Sequence, residues 1–225
     1  MTAILPRSPV RNEFPLAARL LAIEWRRSVG LWFAPPLALL VVVFARLQLL
    51  DSNALSWAWS SVQIRDGIIL IGPALAGAAA WMAGREHRRG LDDLLATTPR
   101  PPWRRQLATW GALVLWGVLA YVAAGGYVAV VTWQRAVWGG PFWSPILIGL
   151  LALPTHAALG FAIGRALPAR LVAPLVAVGL FFAQVVVGWS IGWGPPRFDW
   201  LSFLSPVAFL DRSVWYGVRP DVGPQ

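Results

Sequence analysis

The chain predicts an all-α integral membrane protein with five transmembrane helices, on three observations. Of its 225 residues, 57% are hydrophobic and only 13% charged, with a mean hydropathy of +0.60, whereas a soluble domain carries about 25% charged residues. The apolar residues gather into five runs, and a helix needs about 20 residues to cross a hydrocarbon core. The arginines gather between those runs. Such a composition excludes a disordered chain, a coiled coil and an ordinary soluble enzyme. The runs are 18 to 26 residues long and do not alternate in polarity, which excludes strands of a β-barrel.

Residues 1–30 read as a cytoplasmic N-terminal segment. Its opening stretch lacks the compact apolar core and small-residue cleavage site of a secretory signal, so nothing is expected to be removed. Phe14 to Arg27 places Leu16, Leu20, Leu21 and Trp25 near one side of a helix, with Arg19, Arg26 and Arg27 elsewhere. That pattern predicts an interfacial amphipathic helix. A transmembrane domain over 31–193 follows, with spans at 31–50, 67–84, 108–133, 145–164 and 171–193.

The first span has Pro35-Pro36 near its start and Arg46 near its far end, from which a long side chain reaches the interface. The second carries Gly72, Ala76 and Ala80 at four-residue spacing, a small face suited to close helix contact. The fourth contains Pro154 and His156. Beyond the fifth, 194–225 is an external segment. Within it, Phe198 to Leu210 is apolar but interrupted by Pro206 and too short to span, so it reads as a re-entrant segment or an interfacial loop helix.

Orientation follows from the arginines. Segments 1–30, 85–107 and 165–170 hold 13 of the 19, while the acids divide 5 and 5. The positive-inside rule puts these segments and the N-terminus in the cytoplasm, and Gln225 outside. The 15 Trp residues, several at span ends such as Trp32, Trp81, Trp103, Trp133 and Trp143, read as interfacial belts. All 19 basic residues are Arg, a choice that fits a GC-rich bacterial genome. A net charge of +9 would point to nucleic acid in a soluble protein. Here topology accounts for it, and no nucleic-acid partner is expected.

Several chemistries are missing. Without Lys there is no phosphate-binding P-loop, and without Cys there is no thiolate ligand or nucleophile. No catalytic constellation and no metal site is expected. Within the five spans the ionisable groups are Arg46 and His156. His156 is the one candidate intramembrane polar site: it could relay protons or touch substrate, or it could bond a carbonyl freed by Pro154 or a facing helix. Ion-driven carriers usually place acidic residues at membrane depth, so energy for transport would come from another chain.

The most informative stretch is the cytosolic loop 85–107. After Gly90, residues Leu91, Leu94 and Leu95 fall at i, i+3 and i+4 and form an apolar face. Asp92 and Asp93 occupy the first turn, where the helix dipole favours anions, and Thr98-Pro99 ends the helix. A short amphipathic helix on a charged platform is shaped to dock into a partner's groove.

This loop resembles the one between the second and third spans of ABC-2 type transporter permeases. In that family a Glu, then a Gly, precede a Leu-rich turn ending Leu-Leu-Ala-Thr-x-Pro. Glu86, Gly90, Leu91, Leu94, Leu95, Ala96, Thr97 and Pro99 hold the matching positions. The resemblance implies that this segment is the coupling helix, with Glu86, Gly90, Leu91, Leu94, Leu95, Thr97 and Pro99 contacting a separate ABC ATPase subunit. It also implies that 14–27 is the family's elbow helix, that Glu24 belongs to an acidic-basic stretch before span 1, and that 198–210 is its external re-entrant segment. The family has six spans with both termini inside, so a sixth span is expected to be missing and the chain to be C-terminally truncated.

On this resemblance the chain is the permease subunit of an ATP-driven exporter in the bacterial plasma (inner) membrane. It would bind no cofactor itself, with ATP and Mg on the partner ATPase, and would pair as a homodimer or with a second permease chain among membrane lipid. Lipid, drug, peptide and polysaccharide cargoes all fit. The alternative is a non-transporting membrane scaffold or accessory subunit, and a third reading is an intramembrane enzyme centred on His156.

Overall fold

The computed structural model describes residues 13–50, 56–88, 90, 102–136 and 139–193, and every element among them is a helix. In chain order these are α1 (Glu13–Arg27), α2 (Gly30–Leu50), α3 (Trp57–Asp66), α4 (Ile68–Ala83), α5 (Arg85–Arg88), α6 (Pro102–Arg135), α7 (Trp143–Ala166) and α8 (Val172–Trp193). Four helical stretches are long and apolar enough to cross a membrane: Gly30–Leu47, Trp57–Ala83, Trp103–Arg135 and Trp143–Ala166. The fifth expected span coincides with α8, whose described apolar run is the shorter Val172–Val187. The expected helix over 91–99 and the expected segment over 198–210 lie outside the described residues.

The helical stretch that contains the second expected span begins ten residues before it. α3 runs into α4 through Gly67, which keeps helical geometry (φ −52, ψ −23) and donates its N–H to the carbonyls of Gln63 and Ile64. The joined run has 27 residues, about 40 Å of helix. The sequence expectation failed here because Ser60, Ser61, Gln63, Arg65 and Asp66 depress the hydropathy of the first turns. Those polar groups face protein and not lipid: Ser60, Ser61, Gln63 and Arg65 are all buried. Ser60 and Thr132 share a hydrogen bond (2.7 Å), and Ser61 donates to the Trp57 carbonyl (2.7 Å) while accepting the Phe142 N–H (3.0 Å).

This run is the centre of the bundle. Of the residues in its most apolar 18-residue part 61% are buried, against 22–33% in the matching parts of the other three long stretches. Ile68, Ile71 and Leu75 are wholly enclosed, with Leu113 of α6 and Leu153 of α7 against the same core. The small face expected on α4 makes the closest contact. A Cβ on Gly160 of α7 would collide with the Ala76 carbonyl, and one on Gly164 with the Ala80 carbonyl. A Cβ on Gly72 would lie 2.8 Å from the His156 ring. On its other flank α4 meets α8, where a Cβ on Gly77 would come within 2.8 Å of the Ala177 Cβ. Without side chains between them, two backbones gain dispersion contact that lipid cannot match.

α1 is packed and not merely laid on the surface. Trp25 stacks on Trp116 of α6 (4.2 Å, 11°), and the Trp116 indole donates to the Trp25 carbonyl (3.3 Å). Ser28 accepts the Gly30 N–H (2.8 Å) at the break between α1 and α2, where a Cβ on Gly30 would strike the Trp116 ring. Arg46 donates to the Tyr127 hydroxyl of α6 (2.9 Å) in an exposed contact.

Cross-helix contacts set the helices antiparallel in sequence, so the bundle has two distinct ends. One end gathers Arg26, Arg27, Arg85, Arg88, Arg104, Arg105, Arg165 and Arg170, with exposed Trp32, Trp81 and Trp103. The opposite end carries exposed Trp59, Trp133 and Trp143. Exposed leucines, valines and phenylalanines cover the flanks between the two Trp levels. A waist of exposed apolar side chains between indole belts is the pattern of a multi-pass membrane protein.

Candidate functional site

The arginine-rich end is built by the turn that follows α4. The helix closes at Gly84, α5 adds one turn, and Gly90 takes φ +63 while donating to the His87 carbonyl (3.0 Å). Among the described residues no atom lies within 4 Å of where a Gly90 Cβ would be, and its left-handed backbone calls for glycine. Gly84 is hemmed in by the Gly164 carbonyl and Pro168, which holds this turn against the α7–α8 connection.

Two ion pairs then tie the turn to other elements. Arg85 faces Glu24 of α1 (3.6 Å). The Glu86 carboxylate accepts from Arg105 Nη2 of α6 through Oε2 (2.8 Å), while Arg105 Nε lies 2.8 Å from Oε1 as an ion-pair contact without hydrogen-bond geometry. A charge-assisted hydrogen bond of this kind is stronger than a neutral one, and partial burial of both groups strengthens it further. Glu86 and Arg105 are 19 residues apart, so the pair closes the intervening loop at its base. Arg88 folds back toward the bundle: its guanidinium donates to the Trp81 carbonyl and lies 4.3 Å over the Trp81 ring. Desolvation and the neighbouring Arg170 charge lower the Arg88 pKa, while a guanidinium stays cationic in a protein.

Of the predicted partner-contact residues, Glu86 and Gly90 are described, whereas Leu91, Leu94, Leu95, Thr97 and Pro99 lie outside the described residues. The Glu86 carboxylate is occupied by Arg105, a residue that sequence reasoning did not single out. A signal existed: Glu86 and Arg105 flank a Pro-bearing loop with opposite charges. Glu24 and Arg85, likewise on the two sides of the first two helices, gave no spacing by which to pair them.

His156 has both ring nitrogens engaged. Nδ1 donates to the Ala152 carbonyl (2.7 Å), which makes Nε2 the acceptor, and the Gln184 amide of α8 donates to it (2.5 Å). Proline at 154 would free the carbonyl four residues earlier, that of Leu150, so the bonded carbonyl is a different one. Of the alternatives the sequence left open, the facing helix supplies the second partner. The amide oxygen of Gln184 has no partner among the described residues.

A charged site that the sequence did not predict lies in the second span. Arg65 is 1% exposed. It donates through Nε (2.9 Å) and Nη2 (2.7 Å) to one oxygen of Asp66, and its Nη1 has no partner among the described residues. Arg65 and Asp66 thus join Arg46 and His156 as ionisable groups within the four long apolar helical stretches. The sequence reading misses them because it starts the span at Gly67, which leaves both residues in a loop. Among the described residues no three His, Cys, Asp or Glu side chains cluster as a metal site. Compared with protein-family models, with curated proteins and with solved structures, the chain matches none.

Proposed function

We propose that this chain is the membrane-spanning permease subunit of an ATP-driven ABC-2 type exporter in the bacterial inner membrane, with its arginine-rich end in the cytoplasm. The single observation that carries the reading is the hydrogen-bonded Glu86–Arg105 ion pair, which fastens both ends of the 85–105 loop to the bundle. A loop that is to pass force from a partner to the membrane helices needs rigid attachment at its base. Glu86 opens the stretch that resembles the coupling segment, and Arg105 belongs to α6, the longest helix. The Arg85–Glu24 contact and the Trp25–Trp116 stack add α1 to the same rigid group.

In this reading Leu91, Leu94 and Leu95 seat in a groove on a separate ATPase subunit, and Glu86 positions them instead of touching the partner. ATP binding on paired ATPases draws the loops together, and the clamp passes that motion to α6 and the central α3–α4 run. Two permease chains supply the pathway. Cargo drives the switch only through its different affinity for the two states.

The test is a mild-detergent purification from native membranes with a tag on the N-terminus, followed by mass spectrometry. A P-loop ATPase copurifies with the unaltered chain, and Leu94→Asp or Leu95→Asp releases it while leaving the permease in the membrane, because a carboxylate would be buried in an apolar contact. Asp92→Ala keeps it bound. Equal recovery of the ATPase with all three variants removes the docking face. Its absence with the unaltered chain favours the scaffold or accessory-subunit reading.

A further inference from the structure

Four of the arginines at the arginine-rich end form two contrasting pairs. Arg85 and Arg105 are matched by Glu24 and Glu86, the described carboxylates at that end. Arg88 and Arg170 have no carboxylate partner among the described residues, and the fold brings their segments together at Gly84. Arg88 lies against Gly84 and Trp81, and the same glycine abuts Pro168, two residues before Arg170 in the α7–α8 connection. Two like charges held together without a counter-ion mark a place where an anion lowers the energy.

What lies beside them selects the kind of anion. α8 starts directly after Arg170, and Leu171, Leu175, Val178 and Phe182 follow at i, i+4, i+7 and i+11, one face of the helix. All four are exposed, from 53% to 71%. A cationic pair at the Trp81 level thus stands at the head of an apolar stripe running down the bundle's flank. That combination matches an amphiphile with a negative head and an acyl tail, not a soluble anion and not the polar surface of a protein. Basic pockets between membrane helices recognise lipid phosphates in this way.

We propose that Arg88 and Arg170 together bind the phosphate of an anionic phospholipid whose acyl chain lies along Leu171, Leu175, Val178 and Phe182. Trp81, in the last turn of α4, closes the headgroup side and keeps the Arg88 guanidinium folded toward the bilayer. The site is independent of whether an ATPase docks on the 91–99 segment.

The full chain in detergent, titrated with phosphatidylglycerol or with phosphatidylcholine of the same acyl composition and read by native mass spectrometry, tests this. The unaltered chain holds phosphatidylglycerol about tenfold more tightly. Arg88→Gln with Arg170→Gln abolishes that preference and leaves phosphatidylcholine binding unchanged. Arg170→Gln alone, on an exposed turn, reduces the preference without touching the Trp81 contact, so the test survives a folding defect in the double variant. Leu171→Ser with Leu175→Ser weakens both lipids. Equal binding of the two lipids by the unaltered chain, or a preference indifferent to both arginines, overturns the site. Displacement of phosphatidylglycerol by millimolar inorganic phosphate, with no loss in the leucine variant, overturns the lipid and leaves a free-phosphate site. Release of a copurifying protein by the arginine variants, with lipid preference intact, overturns it in favour of a protein contact.

Discussion

At the scale of single residues, the sharpest constraint is the absence of side chains between α4 and α7. Gly160 and Gly164 let the helices approach until any Cβ would meet the carbonyl of Ala76 or Ala80. Backbone cannot yield as a flexible side chain does, so Gly160→Leu is expected to cost at least about 2 kcal/mol. Gly126, around which a Cβ would meet nothing within 4 Å, is the control, and Gly126→Leu should be near neutral. Thermal unfolding in detergent, followed by indole fluorescence, separates the two. His156 offers a second test at this scale. Its ring satisfies the Gln184 amide and fills the space above Gly72. His156→Ala is expected to cost about 1–3 kcal/mol, since it strands a buried amide. Adding Gln184→Leu should recover part of that loss, because removing both polar partners is far less costly than removing one. A chemical role for His156 would look different: activity lost at unchanged stability, with no recovery in the double variant.

At the scale of elements, what was legible in the sequence was whatever depended on hydropathy alone. α2, α6 and α7 enclose the expected runs at 31–50, 108–133 and 145–164, and the small face of α4 packs as its spacing implied. The span that was misjudged is the one surrounded by protein. A helix at the centre of a bundle can carry Ser60 and Ser61 because Thr132 and the Phe142 N–H bond them, and Arg65 because Asp66 beside it takes the charge, whereas hydropathy alone reads those residues as loop. For the same reason Trp25 and Trp57, which read as interfacial from composition, turn out to be packing residues: Trp25 stacks on Trp116, and Trp57 is buried edge-on to Trp133. The candidate site was half legible. Its residue types and the glycine turn could be read locally, whereas the Glu86–Arg105 and Glu24–Arg85 pairs join elements whose proximity only the fold creates. The clamp itself makes a prediction. Glu86→Gln leaves Arg105 half-buried without its counter-charge, and amide exchange in 85–90 and 102–108 should rise about tenfold. The exchanged pair Glu86→Arg with Arg105→Glu should restore protection. If protection is unchanged by Glu86→Gln, the loop is held by something other than this pair.

At the scale of the whole molecule, the distribution of charge becomes an argument about direction. Eight described arginines share one end of the bundle, the loop that resembles a coupling segment leaves from that end, and an ATPase works only where ATP is supplied. On the proposed function, these statements agree only if the arginine-rich end faces the cytoplasm. Because the chain has no cysteine, a single introduced thiol reports its own side without background. Ala169 and Gly140 are both exposed and stand at opposite ends, on the α7–α8 connection and before α7. A membrane-impermeant maleimide applied to spheroplasts should label Gly140→Cys at once. Ala169→Cys should react only after the membrane is opened. Gly140 is one position beyond Gly139, whose φ of +93 needs glycine, so the substitution spares the strained residue. The reverse pattern of labelling would place the Glu86–Arg105 clamp outside, away from any nucleotide. Coupling to ATP would then be impossible, although the lipid site at Arg88 and Arg170, which needs an anionic leaflet and no nucleotide, would survive it.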